Sequence, residues 1–251
     1  MRCVPGGGFL RGSRRFQRER PAERVWLQTF YLDTHEVTVE AYEACVARGH
    51  CQPARTLYED FSRPRQPKVG VTWAHADAFC RAQGKQLPTE AQWEKAARTD
   101  DGRRYPWGNE RATCERAVIE TRAGRGCGVK KQGETPDTGR TQEVGSRPPN
   151  PYGLYDLSGN AWEWVADWFS ESYAKCGAAC RGVDPKGPCG GADPCPGHFQ
   201  RVLRGGSWFW DESYATTTFR HHHYPANEPY HHFGFRCAAT LDQARELRRP
   251  R

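Results

Sequence analysis

Two aromatic segments punctuated by glycine constrain this chain more than any other feature. Residues 152–164 read YGLYDLSGNAWEW, residues 201–208 read RVLRGGSW, and FGFRCA follows at 233–238. The stretches 24–32, 200–208 and 233–239 are rich in strand formers and bounded by glycine or proline, which predicts three strands. Helical periodicity is confined to three short stretches, so the expected class is α+β rather than repeated βαβ units. Thr38 is the N-cap of the first helix, which runs to about Arg48 with Val39, Tyr42, Cys45 and Val46 on one face and Gly49 as its stop. Thr72 starts the second, through Gln83, with Trp73, Ala76, Phe79 and Cys80 as its apolar stripe. In the third, Thr89 and Gln92 form a capping box, and Trp93, Ala96 and Ala97 face inward.

At 251 residues the chain fits a single domain with a sizeable core, about 4–239, followed by a basic tail at 240–251. With 18 Pro and 26 Gly, much of it must be irregular. Stretches 99–150 and 170–199 read as long loops, which need pinning. The net charge of +7 comes from scattered arginines with modest clusters at Arg11–Arg20 and Arg245–Arg251. No nucleic-acid motif accompanies them, so they read as a solvated basic surface. No apolar run approaches the roughly 20 residues of a membrane span. No signal peptide is visible, and a fused or upstream domain in a longer gene is the expectation.

Eleven cysteines bear on compartment. Cys45 and Cys51 flank a helix end, and Cys114 and Cys127 close a loop; both read as disulfides. Cys176, Cys180, Cys189 and Cys195 are spaced C-x3-C-x8-C-x5-C. A zinc knuckle is the rival to disulfides there, but its second half is too wide for the usual spacing. Their pairing is open, and Cys3 is left over as a free thiol or a bond outside the chain. Disulfides in this number predict an extracytoplasmic protein.

Further strings fall in a recognisable order: PGGGFLRGS (5–13), FYLDTHEVTVEAYEACV (30–46), VGVTWAHADAFCRAQGKQLPTEAQWEKAAR (69–98), RYPWGN (104–109) and VGSRPPNPYGLYDLSGNAWEWVADW (144–168). From about Val4 to Ala239 the chain resembles the formylglycine-generating enzyme (sulfatase-modifying factor) family. The resemblance implies that family's fold, close to the C-type lectin fold, with little regular secondary structure. It implies a Cys80–Cys237 disulfide tying the second helix to the last strand. It also implies calcium in the loop DLSGNAWE (156–163), held by the side chains of Asp156 and Glu163 and the carbonyls of Gly159 and Ala161. Two carboxylates and turned-in carbonyls suit a hard cation. A second family calcium site, in 115–145, departs from the family's Asn and Asp pattern and is left unassigned.

Catalytic relatives hold Cu(I) with two cysteines shortly after GGSW, soft ligands for a soft ion. Here no cysteine lies between Cys195 and Cys237, and by direct register those positions fall on Trp210 and Ala215. Neither ligates copper, so formylglycine formation by that route is not expected. Trp162, Ser207 and Tyr214 match the family's groove positions. The segment 220–236, RHHHYPANEPYHHFGFR, carries five of the nine histidines. The expected ligand surface, 208–232, comprises Trp208, Trp210, Arg220, His221, His222, His223, Tyr224, Tyr230, His231 and His232. The favoured reading is a binding module for a peptide, protein or small molecule. Variable proteins of diversity-generating retroelements share the fold and vary between RGGSW and GFR. The alternative is an oxidase or oxygenase with Zn, Fe or Cu held by one of His221–His223 and His231 or His232. A third is a pseudoenzyme that binds a sulfatase-like peptide without oxidising it.

Overall fold

A computed structural model describes residues 1–56, 58–132, 138–226 and 230–249. The chain opens with β1 (Arg2–Val4), β2 (Gly7–Arg11), β3 (Glu23–Leu27) and β4 (Phe30–Leu32). Three helices follow: α1 (Val39–Ala47), α2 (Trp73–Ala82) and α3 (Glu90–Arg98). After a long irregular stretch come β5 (Trp162–Trp168), the one-turn α4 (Tyr173–Cys176), β6 (Arg201–Arg204), β7 (His221–His223), β8 (Phe233–Phe235), β9 (Ala238–Thr240) and α5 (Leu241–Glu246). The class is α+β, as expected.

The helix caps behave as their sequences require. Thr38, Thr72 and Thr89 each accept a hydrogen bond from the backbone N–H three residues on, and Gln92 completes the capping box of α3. His75 makes a second box on α2, which the sequence reading overlooked.

Two of the expected strands are each two strands. Residues 24–32 divide because β3 pairs with β2 while β4 pairs with β1 and β9. Residues 233–239 divide because β8 runs parallel to β5 and β9 joins β4. Between them Arg236 turns inward to Glu163 and Cys237 is tied to Cys80. The expected basic tail begins as a helix, α5, boxed by Thr240 and Gln243.

The central sheet, in the order β7-β6-β5-β8, divides the core. Side chains alternate along a strand. Trp162, Trp164 and Leu203 pack with Phe79 and Cys80 of α2, whereas Val165 and Val202 pack with Trp93, Ala96 and Ala97 of α3. The turn after β6 requires glycine: Gly206 has φ +77°, and a Cβ there would stand 2.8 Å from Ala215 Cα.

Five disulfides engage every cysteine except Cys3, which is exposed. Cys45–Cys51, Cys114–Cys127 and Cys80–Cys237 pair as expected. The four-cysteine cluster resolves as Cys176–Cys180 and Cys189–Cys195, which leaves no thiolate for zinc. These bonds pin both long loops. Among the described residues no helix is long and apolar enough to cross a membrane.

A buried ionic layer beneath β6 went unread in the sequence. Arg220 grips Glu90 with two bonds of 2.6 and 2.8 Å, and Arg204 reaches Glu94 at 2.7 Å and Glu90 at 3.4 Å. All four side chains are buried. Arg11, expected on a solvated surface, is also buried, paired with Glu23 at 2.9 Å and stacked 3.8 Å above Tyr173.

Candidate functional site

A cavity of about 530 Å³ opens between the segment following the Gly205-Gly206 turn, strand β7 and the turn before β8. Trp208, Phe209 and Trp210 line it together with His231 and His232, which pack on them. Phe209 stacks on His232 with ring centroids 5.4 Å apart, and Trp208 meets His231 at 5.2 Å. Tyr58 covers His231 at 3.9 Å. His221, His223, Tyr230 and Phe233 complete the rim, with Lys131 at its edge.

The alternation of β7 sorts the three consecutive histidines. His221 and His223 face the cavity, and His222 turns away to stack on Phe169 at 3.9 Å. The expected place of His222 on the ligand surface is therefore corrected. Arg220 is corrected too: fully buried and held by Glu90, it has no reach to a ligand. Tyr224 is 49 % exposed and lies outside the cavity lining. Within the expected 208–232 surface, residues 227–229 lie outside the described residues, as do 133–137 in the region of the unassigned second calcium site.

The groove residues lie beneath this cavity. Trp162 is buried, with its ring 4.9 Å from His221. Ser207 is buried, and its Oγ accepts the Phe209 N–H at 3.3 Å. Tyr214 packs on Trp210 at 4.9 Å. Trp210 and the buried Ala215 thus hold the two positions where the resemblance would put copper thiolates. Tyr58, Phe209, Lys131 and Phe233 were missed. Phe209 had a signal, since it lies between Trp208 and Trp210; Tyr58 and Lys131 come from distant loops and had none.

Burial keeps the imidazoles neutral, with neighbouring positive charge as a lesser cause. It pushes His221 down to about 3, His222 and His231 down to about 4, and His232 well below the usual histidine range. The Nδ1 atoms of His222, His231 and His232 have no hydrogen-bond partner, nor does the Trp162 indole N–H. Neutral imidazoles can each donate and accept. The cavity is therefore lined by aromatic rings and neutral imidazoles, with Lys131 as the one charged group in its lining among the described residues. Among the described residues, no three His, Cys, Asp or Glu side chains converge as metal ligands.

These shifts predict acid lability. The unfolded histidines protonate near pH 6.5, above their folded values, so the unfolded chain takes up protons first. Their contribution is whole above about pH 6.5 and is lost as pH falls toward 4. Asp167, raised by burial and by Glu90 to about 7, acts in the opposite sense, favouring the fold as pH falls. The comparison must therefore be with a variant: between pH 7 and 4.5, His221→Phe should lose less melting temperature than wild type. Equal losses would mean that His221 stays neutral in neither state or both.

The loop expected to hold calcium departs from expectation at one ligand. Both oxygens of Glu163 are taken by Arg236, at 2.7 Å each, and one also by the Trp93 indole N–H at 2.8 Å. That carboxylate is a partner of the core, not an open ligand. Asp156, in left-handed conformation at φ +56°, accepts the Gly145 N–H at 2.6 Å. Glu36 is the unforeseen member: its carboxylate accepts the Ala161 N–H at 2.9 Å and the Asn160 amide at 2.7 Å. Burial, then Asp156 and Glu163, push the Glu36 carboxyl well up, and burial also raises Asp156. Of these three buried carboxylates Arg236 bonds only Glu163, so among the described residues Glu36 and Asp156 have no cationic side chain bonded to them.

The curled sheets, the pinned loops and a groove floored by Trp162 and Ser207 define an α+β fold of the formylglycine-generating-enzyme type. The chain belongs to that family: residues 1–241 match the model of the sulfatase-modifying factor enzyme 1-like domain. It is 40% identical over 188 residues to a formylglycine-generating enzyme of Thermomonospora curvata, covering 70% of this chain and 56% of that one. It is 34% identical over 265 residues to a Chlamydia pneumoniae protein named serine/threonine-protein kinase pkn1, covering 96% of this chain and 38% of that one. The chain therefore spans less than two thirds of either relative. Among solved structures, PvdO from Pseudomonas aeruginosa is similar at a TM-score of 0.75 and 25% identity, over 95% of this chain and 93% of that one.

Proposed function

We propose that this domain is a ligand-binding member of its family that does not oxidise cysteine to formylglycine by the copper route. The observation that carries this reading is the filling of the site. Trp210 and Ala215 stand where two thiolates would be needed, and every cysteine but the exposed Cys3 is in a disulfide. The ligand it suits is an uncharged planar or aromatic group, laid against the aromatic lining of the cavity near Trp210, His221, His223 and Tyr230. Aromatic walls supply apolar contact, and the neutral imidazoles that line the cavity supply polar edges. Such a group is available on a small molecule or on a protein side chain.

The test has two arms on purified protein. Supplied with Cu(I), oxygen and a cysteine-bearing sulfatase peptide, the domain should form no formylglycine. Ligand-observed NMR with indole and other neutral heteroaromatics should show binding that Trp210→Ala and His231→Ala each weaken about tenfold, the loss of one well-packed contact. Formylglycine product would overturn the first claim, and binding indifferent to both substitutions the second.

A metal-dependent oxidase is the second reading, favoured by the four histidines that line one cavity. Elemental analysis separates the two: stoichiometric Cu, Fe or Zn that disappears in His221→Ala and His231→Ala would replace the binding-module reading with this one.

Calcium at Asp156 and the Gly159 and Ala161 carbonyls, with Glu36 adding negative charge, is part of the proposal. Saturating calcium at 100 times Kd would add about 2.7 kcal/mol, hence a rise of about 5–10 °C in Tm. Asp156→Ala should abolish that rise; a calcium response that persists would remove Asp156 as a ligand. The disulfide pattern supports an extracytoplasmic location.

A further inference from the structure

The segment 215–220, whose Phe219 packs into the core near Trp162, also borders a second cavity, of about 330 Å³. Its other sides are the Ser13–Arg15 turn, the end of α3 and the loop at 102–104. Arg15, Arg98, Arg103 and Arg104 all line it. Two of these already have carboxylates: Arg103 closes on Asp101 at 2.5 Å, and Arg98 lies 3.3 Å from Glu94. The guanidinium groups of Arg15 and Arg104 have no carboxylate within ion-pair distance among the described residues and lie over aromatic rings, Phe16 at 4.9 Å and Tyr105 at 5.1 Å.

Two buried donors in the same lining are left without partners. Arg98 is 7 % exposed and Thr216 2 % exposed. Arg98 is fixed through Nη1, which donates to the carbonyls of Leu10 and Gly12 at 2.8 and 2.6 Å, yet its Nε has no acceptor. Thr216 Oγ1 has no partner either. A fold seldom buries a donor without an acceptor, because the lost hydration is not recovered. Of the buried carboxylates nearby, Glu94 is taken by Arg98 and Arg204, and Glu19 accepts from Ser13 Oγ and from Thr218 Oγ1 at 3.0 Å through one oxygen, the other having no partner. With Glu94 and Asp101 paired to other arginines, Arg15 and Arg104 outnumber Glu19 by one charge.

We infer that this cavity is an oxyanion site for a phosphate- or sulfate-class group, free or as the end group of a small molecule. Arg15 and Arg104 supply the charge from the open side. Arg98 and Thr216 line the closed side, where the unpartnered Nε and hydroxyl add donors close to the anion. The cavity volume is at the low end for ligand sites, enough for a tetrahedral anion with a small organic remainder. The site is separate from the aromatic cavity, and its fate does not depend on that reading.

The experiment is isothermal titration with inorganic phosphate at constant ionic strength, held with chloride. Saturable one-site binding is expected. Arg15→Ala with Arg104→Ala should weaken it by at least about tenfold, and Thr216→Val by about tenfold, as charge-assisted bonds are lost. Both arginines are exposed, so their removal should leave Tm unchanged. Glycerol 3-phosphate in a second arm distinguishes the source: tighter binding means an esterified end group, and equal binding means the free ion. Heats that never saturate, or an affinity unchanged in the arginine double variant, would overturn the inference.

Discussion

Arg236→Leu is expected to lower the melting temperature by about 10 °C, the largest effect of any single substitution away from the cysteines. The guanidinium sits fully buried and donates to both oxygens of Glu163 and to the Tyr155 carbonyl at 2.8 Å. Its removal strands Glu163 in the core beside Glu36 and Asp156, which already repel it. Breaking a buried pair from one side costs about 3–5 kcal/mol, and each kcal/mol is about 2–4 °C for a chain of this size. The compensated change, Arg236→Met with Glu163→Gln, should recover much of the loss, because no full charge is then abandoned. A single variant that melts within about 2 °C of wild type would show that the pair is not the anchor described here.

Removal of the Cys80–Cys237 bond should have an effect of comparable size by a different route. The cysteines are 157 residues apart, so the bond forecloses most of the unfolded chain's freedom. The chain-entropy relation gives about 5 kcal/mol for a loop of that length and roughly 2 kcal/mol for a six-residue loop such as Cys45–Cys51. Thermal melts of Cys80→Ala with Cys237→Ala, beside Cys45→Ala with Cys51→Ala, check the ordering. If the short loop costs as much as the long one, local packing rather than chain entropy sets the value of these bonds.

The family and the fold were legible because their signals are local strings in a fixed order. The helix caps at Thr38, Thr72 and Thr89 were legible for the same reason, since a cap is decided within four residues. The cavity was half legible. Trp208, Trp210, Tyr230 and four of the five clustered histidines line it, but spacing could not say that β7 would pair with β6 and turn His222 away. Arg220 was misread because an arginine before three histidines looks like part of a ligand surface. Its partner, Glu90, lies 130 residues earlier on another element.

Glu163 carries the same lesson at the calcium loop, where its motif was right and its partner was not visible. The α3 residues Glu90, Glu94 and Arg98 stand four apart, the pattern of a solvated helix face, yet all three are buried, the two carboxylates against arginines from β6 and from the segment before β7 and Arg98 against the carbonyls of Leu10 and Gly12. By itself, then, the sequence determined the family, the class, the capped helices, three of the five disulfides and the loss of the copper thiolates. Each of these depends on residue identity or short spacing, except the Cys80–Cys237 bond, which the family resemblance implied across 157 residues. The tertiary structure alone decided which face each histidine takes, which carboxylates remain open to a cation, and which arginines are core and which line a cavity. Those outcomes depend on charges brought together across more than a hundred residues, where burial turns an ordinary ion pair into a requirement of the fold.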